Sequence, residues 1–270
     1  MEEYYILCED SPEGIFTGIY DAYLLKKPHQ QIHLIVKEEE NYRLFARYQT
    51  CRADGEKACK VARTIRNKFG QEAYLAIFRT VSSEQEDKAE AVYKTVVTGL
   101  SMKNPGKLLD NLKDPFVHRV FEIARRVGNE THAHVEFLRF QELKSGLLYA
   151  VIEPHNDVLS FIVPHFADRL PLENFVIHDK GRNLFAVHPA KQDWYLYSGT
   201  EDTESLYEEV AENFSDGEEK YSELFTAFFH TIAIKERKNY ELQRNMLPLK
   251  YRKYMTEFLS GNNGLKIGNT

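Results

Sequence analysis

Apolar positions along the chain follow a helical period in the first half and switch to a strand period after residue 131. Residues 4–8 form a short apolar run of strand length. Ser11-Pro12 then supplies an N-cap and a proline for the first helical position, and apolar residues at 15, 16, 19, 20, 23 and 24 recur at helical spacing. Gly14 and Gly18 lie one turn apart on this helix and leave one flank bare, for close packing of backbones or, alternatively, for approach of a ligand. Runs at 32–36 and 42–48 read as strands around the acidic turn 37–41. Asp54 caps a helix that reaches Phe69 and stops at Gly70. Helices over 73–81 and 86–100 follow, then a turn at Asn104-Pro105-Gly106. Pro115 opens a further helix over 116–127.

Past residue 131 the runs shorten. Residues 134–143 and 147–153, joined by Lys144-Ser145-Gly146, predict a hairpin, and 175–178 with 183–188 predict another around Asp179-Lys180-Gly181-Arg182. Between them 157–170 reads as a helix with Pro164 inside it, where a kink or break is expected. A strand at 194–197, helices at 207–214 and 221–240, and a short helix after Pro248 complete the pattern. The expected fold class is α+β: a helix-rich N-terminal half packed with a small, largely antiparallel sheet, and C-terminal helices closing over it. One compact domain is expected over 1–258, with subregions 1–130, 131–198 and 199–258. A Gly- and Asn-rich flexible tail, 259–270, would follow.

A chain of 270 residues is long enough to bury a sizeable core. No apolar run approaches the roughly 18 residues of a membrane span, and Met1-Glu2-Glu3 lacks the basic start of a signal peptide, so a cytoplasmic protein without membrane contact is expected. Cys8, Cys51 and Cys59 fit neither a disulfide framework nor a metal spacing. The net charge of −6 argues against a polyanion-binding molecule as a whole, but the distribution is uneven. Acids dominate 200–219 with no Lys or Arg. Lysines and arginines dominate 235–253, and Lys57, Lys60, Arg63, Arg66 and Lys68 share one predicted helix. Local basic surfaces bind phosphates even on an acidic protein, although a charge run is also the ordinary form of a solvated face.

The chemistry concentrates between Thr131 and Arg182. On a strand, His132, His134 and Glu136 would project from one face, a possible two-histidine, one-carboxylate metal set. The plainer reading leaves His132 at a helix end and Glu136 on the surface, and no metal is assigned. Arg139, between Leu138 and Phe140, carries a permanent charge that needs an anion or a carbonyl; Glu153, Asp157 and Asp179 are the available acids. A kink at Pro164 would aim His165 into a cleft, where an imidazole can move protons or bind phosphate; a satisfied core histidine is the alternative. A turn-stabilising salt bridge accounts for Asp179 and Arg182. Walker, GxGxxG, GxSxG and HExxH motifs are absent, as are the cysteines of a radical SAM cluster and of a zinc deaminase.

Several phrases together resemble a known family. They are Ala22-Tyr23; His132 followed by Phe137-Leu138-Arg139-Phe140; Ile152-Glu153-Pro154 with Asp157-Val158-Leu159; Pro164-His165-Phe166-Ala167-Asp168-Arg169; Ile177-His178-Asp179-Lys180-Gly181-Arg182; and Arg244-Asn245-Met246-Leu247-Pro248 with Lys250-Tyr251. The chain resembles, from about Tyr4 to Tyr254, a domain family of unknown function associated with DNA metabolism. Its members accompany a radical SAM protein and are sometimes fused to a uracil-DNA-glycosylase-like module. At His134 the chain departs from the family pattern, which carries an apolar residue there.

The resemblance implies a DNA-metabolism or repair protein acting with a radical SAM partner. DNA would be held by Arg169, Arg182, Arg237, Arg244, Lys250 and Lys253, with rings such as Tyr240, Tyr251 and Tyr254 stacking on unpaired bases. Two alternatives stay open. One is a nuclease or glycosylase-like hydrolase using His132, Arg139, Glu153, Asp157 and His165. The other is a non-catalytic interaction module. No cofactor is expected under any of them.

Overall fold

A computed structural model describes residues 2–38, 43–199, 247 and 249–255. They divide into two compact units: Met1–Asn129 with His155–Asp157, and Glu130–Pro154 with Val158 onward.

The first unit is built on β1 (Glu3–Cys8), α1 (Pro12–Leu24), β2 (Ile32–Ile35) and β3 (Ala46–Cys51). The three strands form an all-parallel sheet in the order β2-β1-β3. α1 is the crossover that parallel pairing of β1 with β2 demands. Ser11 caps it as expected, its Oγ accepting from the Gly14 N–H at 3.0 Å. Gly18 is there for space: a Cβ at that position would stand 2.2 Å from Cys8 Sγ on β1. α2 (Gly55–Phe69), α3 (Gln71–Val81) and α4 (Lys88–Ser101) follow, and Ile6, Ile15, Ile19, Leu34, Ile65, Ile77 and Val92 fill the core. Asp54 caps α2 by accepting from the Glu56 and Lys57 amides at 2.9 and 3.1 Å.

α5 (Pro115–Phe137) starts on an Asp114 cap, whose Oδ1 accepts from the Phe116 and Val117 amides. It runs ten residues beyond the stop expected at Val127. Gly128 is no terminator, since it lies buried with Arg79 Nη1 3.3 Å from where its Cβ would stand.

The second unit holds β4 (Gln141–Glu142), β5 (Leu148–Ile152), α6 (Leu159–Arg169), β6 (Phe175–Asp179), β7 (Leu184–His188) and β8 (Tyr195–Ser198). They form a five-stranded sheet in chain order. Both expected hairpins are present, with β4 antiparallel to β5 and β6 antiparallel to β7, and β8 continues the antiparallel series. β5 and β6 are parallel, with Leu148 beside Phe175 and Ile152 beside Asp179, because the chain passes through α6 between them.

The expectation of one small, largely antiparallel sheet is therefore corrected. The fold is α+β, with one parallel and one mixed sheet. The strand expected from residue 134 is also corrected, since Phe137 is still helical and β4 keeps only two residues. α6 continues through Pro164 as a single helix; Pro164 is exposed, so water can take the carbonyl its missing N–H leaves open. A four-residue helix, α7 (Leu249–Arg252), matches the short helix expected after Pro248. The helices expected at 207–214 and 221–240, the tail, Arg237 and Arg244 lie outside the described residues. Among the described residues no helix is long and apolar enough to cross a membrane.

Candidate functional site

The helical course of α5 reorders the residues expected to form a metal face. At about 100° per residue, His134 points away from His132, while Glu136 returns near it. Burial follows that geometry: His132 and Glu136 are exposed and His134 is buried. The three therefore share no face. Among the described residues no group of three or more His, Cys, Asp or Glu is arranged to hold a metal.

His134 instead anchors a compact polar joint within the second unit. One turn earlier on α5, the buried Glu130 carboxylate receives Lys250 Nζ at 2.8 Å. The next residue, Tyr251, sets its ring edge-on against His134, 5.0 Å between centroids, and tilted against Phe137. Burial pulls the His134 pKa down to about 4, with Glu130 and Lys250 acting in opposite senses. Its Nε2 is buried and has no hydrogen-bond partner among the described residues. Burial acts to lower the Lys250 pKa, but the Glu130 carboxylate outweighs it and holds the ammonium above its usual range.

A second contact stands beside the first. Glu153, at the end of β5, accepts from Lys253 Nζ at 2.5 Å and from the Tyr254 hydroxyl at 3.0 Å. Lys253 is the main cause that lowers the Glu153 pKa. Arg139 lies in the same region, half-buried, with Nη1 donating to the Glu136 and Leu138 carbonyls at 3.2 Å. The space among His134, Arg139, Glu153, Lys250, Tyr251 and Tyr254 is about 20 Å³, room for one water and no substrate.

The remaining expected site residues are dispersed. His132 on α5 and His165 on α6 are exposed, and neither forms a hydrogen bond or ion pair with the other or with Glu153. Asp157 belongs to the first unit, where its amide donates to the Ser82 carbonyl at 2.9 Å. Arg169 is exposed in the last turn of α6. Arg182 closes the β6–β7 turn on the buried Asp179 carboxylate at 3.1 Å and on the Pro154 carbonyl at 3.1 Å.

Two buried groups escaped sequence reasoning. The Tyr149 hydroxyl and His178 Nδ1 are 2.7 Å apart inside the second unit. Burial lowers the His178 pKa to about 4, with Lys180 adding to it, and burial raises that of Tyr149. Their strand registers were readable, but nothing in sequence pairs positions 149 and 178 without the parallel β5–β6 ladder.

A family model described as a domain of unknown function, DUF4130, matches residues 86–257. The chain belongs to the DUF4130 family. No curated protein matches it. The matched DUF4130 segment contains every residue expected to be catalytic, and it begins after α2.

α2 is the clearest basic surface among the described residues. Lys57 is tied to Asp21 at 2.8 Å. Lys60, Arg63, Arg66 and Lys68 are exposed and make no ion pair among the described residues. The Arg66 guanidinium lies over the Tyr74 ring at 4.4 Å, and Lys60 Nζ lies 5.9 Å from the Tyr20 ring. Lys250 and Lys253, by contrast, spend their charge on Glu130 and Glu153.

Proposed function

We propose that this protein binds nucleic acid in DNA metabolism, with α2 as its phosphate-contacting element. The observation that carries the reading is Lys60, Arg63 and Arg66, which fall within about 120° of one face of α2, with Lys68 further round the same helix; all four are exposed and make no ion pair among the described residues, on a protein of net charge −6. The nine residues from Lys60 to Lys68 carry these charges over about 12 Å, the axial rise of three to four phosphates along one strand. Exposed cations that no carboxylate neutralises are free to replace counterions on a phosphate backbone. The Tyr20 and Tyr74 rings beside them add surfaces that hold cations in place.

Repair as the specific process, and a radical SAM protein as partner, follow from the family resemblance and belong to the same proposal. Lys250 and Lys253 contribute less than the sequence implies, because a strand would have to displace Glu130 and Glu153 to reach them. Salt-titrated binding to single- and double-stranded DNA tests the reading. Affinity should fall linearly on logarithmic axes, with a slope of about −2 to −3 for a single strand engaging three to four phosphates. Absence of salt-dependent binding to either form removes it.

A further inference from the structure

We propose that β8 is an interface, and that its partner is a second copy of this chain paired with it edge to edge and antiparallel. The second sheet ends on this strand among the described residues. All four of its residues are exposed: Tyr195 at 52%, Leu196 at 42%, Tyr197 at 53%, and Ser198. An edge strand offers a row of amides and carbonyls to any chain that can pair with it, and folds commonly blunt that row. Here the other edges are blunted. Glu90 Oε2 accepts from the Leu34 amide at 3.0 Å and Lys94 Nζ donates to the Ile32 carbonyl at 2.7 Å, so α4 covers the edge of β2. β3 carries Arg47, and β4 is only two residues long and includes Glu142. β8 reads Tyr-Leu-Tyr-Ser, with neither a charge nor a proline.

The ladder fixes which groups of β8 point outward. The Gly199 amide donates to the Asn183 carbonyl at 2.9 Å, and these two residues continue the β7–β8 register by one step. Bonded and non-bonded pairs alternate along an antiparallel ladder. Phe185 with Tyr197 and Val187 with Tyr195 are therefore bonded pairs, and the amides and carbonyls of Leu196 and Ser198 face away from β7. The side chains alternate as well: Tyr195 and Tyr197 share a sheet face with Phe185 and Val187, and Leu196 lies on the opposite face. The Tyr197 ring leans toward that of Phe185, 6.3 Å between centroids, and extends a half-buried apolar strip to the sheet edge.

This edge is complementary to itself, which is what selects a second copy as its partner. A two-fold axis through Leu196 sets that residue opposite its own copy, so that each outward amide donates to the other's outward carbonyl. In the same register Ser198 of one copy meets Trp194 of the other, and each Tyr195 stands directly opposite a Tyr197 on one face. Aromatic side chains opposite one another are favourable cross-strand pairs. Asp193 falls opposite Gly199, so no like charges are brought together. A shift by one residue would set outward groups against groups already bonded to β7, and moving the axis to Tyr195 or Tyr197 shortens the overlap. A four-residue edge makes a small interface, below the roughly 1,200 Å² of stable complexes, so the dimer is weak and exchanging.

The test is sedimentation equilibrium of the full chain from about 1 to 500 µM, a span that covers weak specific association. The mass should rise from the 31.5 kDa of one chain toward twice that value. Leu196→Lys sets two charges against each other at the axis, and Leu196→Pro removes the outward amide without touching the ladder to β7. Both variants should remain monomeric, with the thermal melt of the natural chain at low concentration. The register has its own test in a Cys59→Ser background, which lacks the exposed thiol. There Leu196→Cys should cross-link two copies on mild oxidation, because bonded antiparallel neighbours stand about 5.5 Å apart. Tyr195→Cys should not, since the axis leaves its two copies about 8 Å apart. The mass of one chain at every concentration overturns the proposal. So does association that both Leu196 variants retain, or cross-linking as efficient from 195 as from 196. The Lys60→Glu, Arg63→Glu variant should associate like the natural chain; loss of association there would place the contact on α2 and overturn the proposal as well.

Discussion

Acidification should unfasten the second unit through its buried imidazoles, and His134 allows the effect to be isolated. In the unfolded chain an imidazole titrates near 6.5, whereas burial holds His134 at about 4. The folded pKa is the lower of the two, so the unfolded state binds the proton first as pH falls. Stability from the neutral ring is fully present above pH 6.5 and is lost between 6.5 and about 4. At about 1.36 kcal/mol per pH unit, that interval amounts to about 3 kcal/mol. Glu130, Lys250 and Tyr251 face the ring; the first favours its protonation and the second opposes it. His134→Leu keeps an apolar group of similar size against Phe137 and Tyr251. Its stability should therefore fall about 3 kcal/mol less than that of the natural chain between pH 7.5 and 4, while His178 keeps its own share in both. Urea titrations at a series of pH values, followed by Trp194 fluorescence, measure this unit specifically. Parallel stability curves for the two chains would refute the reasoning.

Gly18→Ala should destabilise the first unit by about 1–3 kcal/mol, since the added methyl meets Cys8 Sγ; circular dichroism melts measure it. Tyr149→Phe should cost about 1–3 kcal/mol by removing the buried hydroxyl that pairs with His178 Nδ1, read by urea titration of Trp194 fluorescence. Lys253→Ala should cost less than about 1 kcal/mol, because both it and Glu153 are about half exposed. Asp54→Ala should remove about 1 kcal/mol by uncapping α2, with no change in the second unit's fluorescence transition.

Local signals in the sequence were legible where the structure uses local physics. Ser11, Asp54 and Gly70 cap or stop their helices as read, and Asp179 pairs with Arg182, three positions on, across the β6–β7 turn. The parallel sheet was missed although its signature was present: a strand, a helix of thirteen residues and a second strand imply a parallel crossover. The expected helix over 116–127 ends with the apolar spacing at Val127, whereas α5 continues to Phe137 with Gly128 buried beside Arg79, a tertiary effect. The alternation His132, His134, Glu136 satisfies a two-residue period by coincidence within a longer helical one, and that error produced the apparent metal face. Lys250 and Glu130 lie 120 residues apart, so no pattern along the chain pairs them.

The most direct test of the α2 assignment is the salt dependence of single-stranded DNA binding by the natural chain and by a Lys60→Glu, Arg63→Glu variant. Both positions are exposed and make no ion pair among the described residues, so the thermal melt should not move. Loss of two phosphate contacts should weaken binding at low salt and flatten the logarithmic slope by about 1.4. Identical affinity and slope for the two proteins would show α2 to be an ordinary solvated face and would contradict the account.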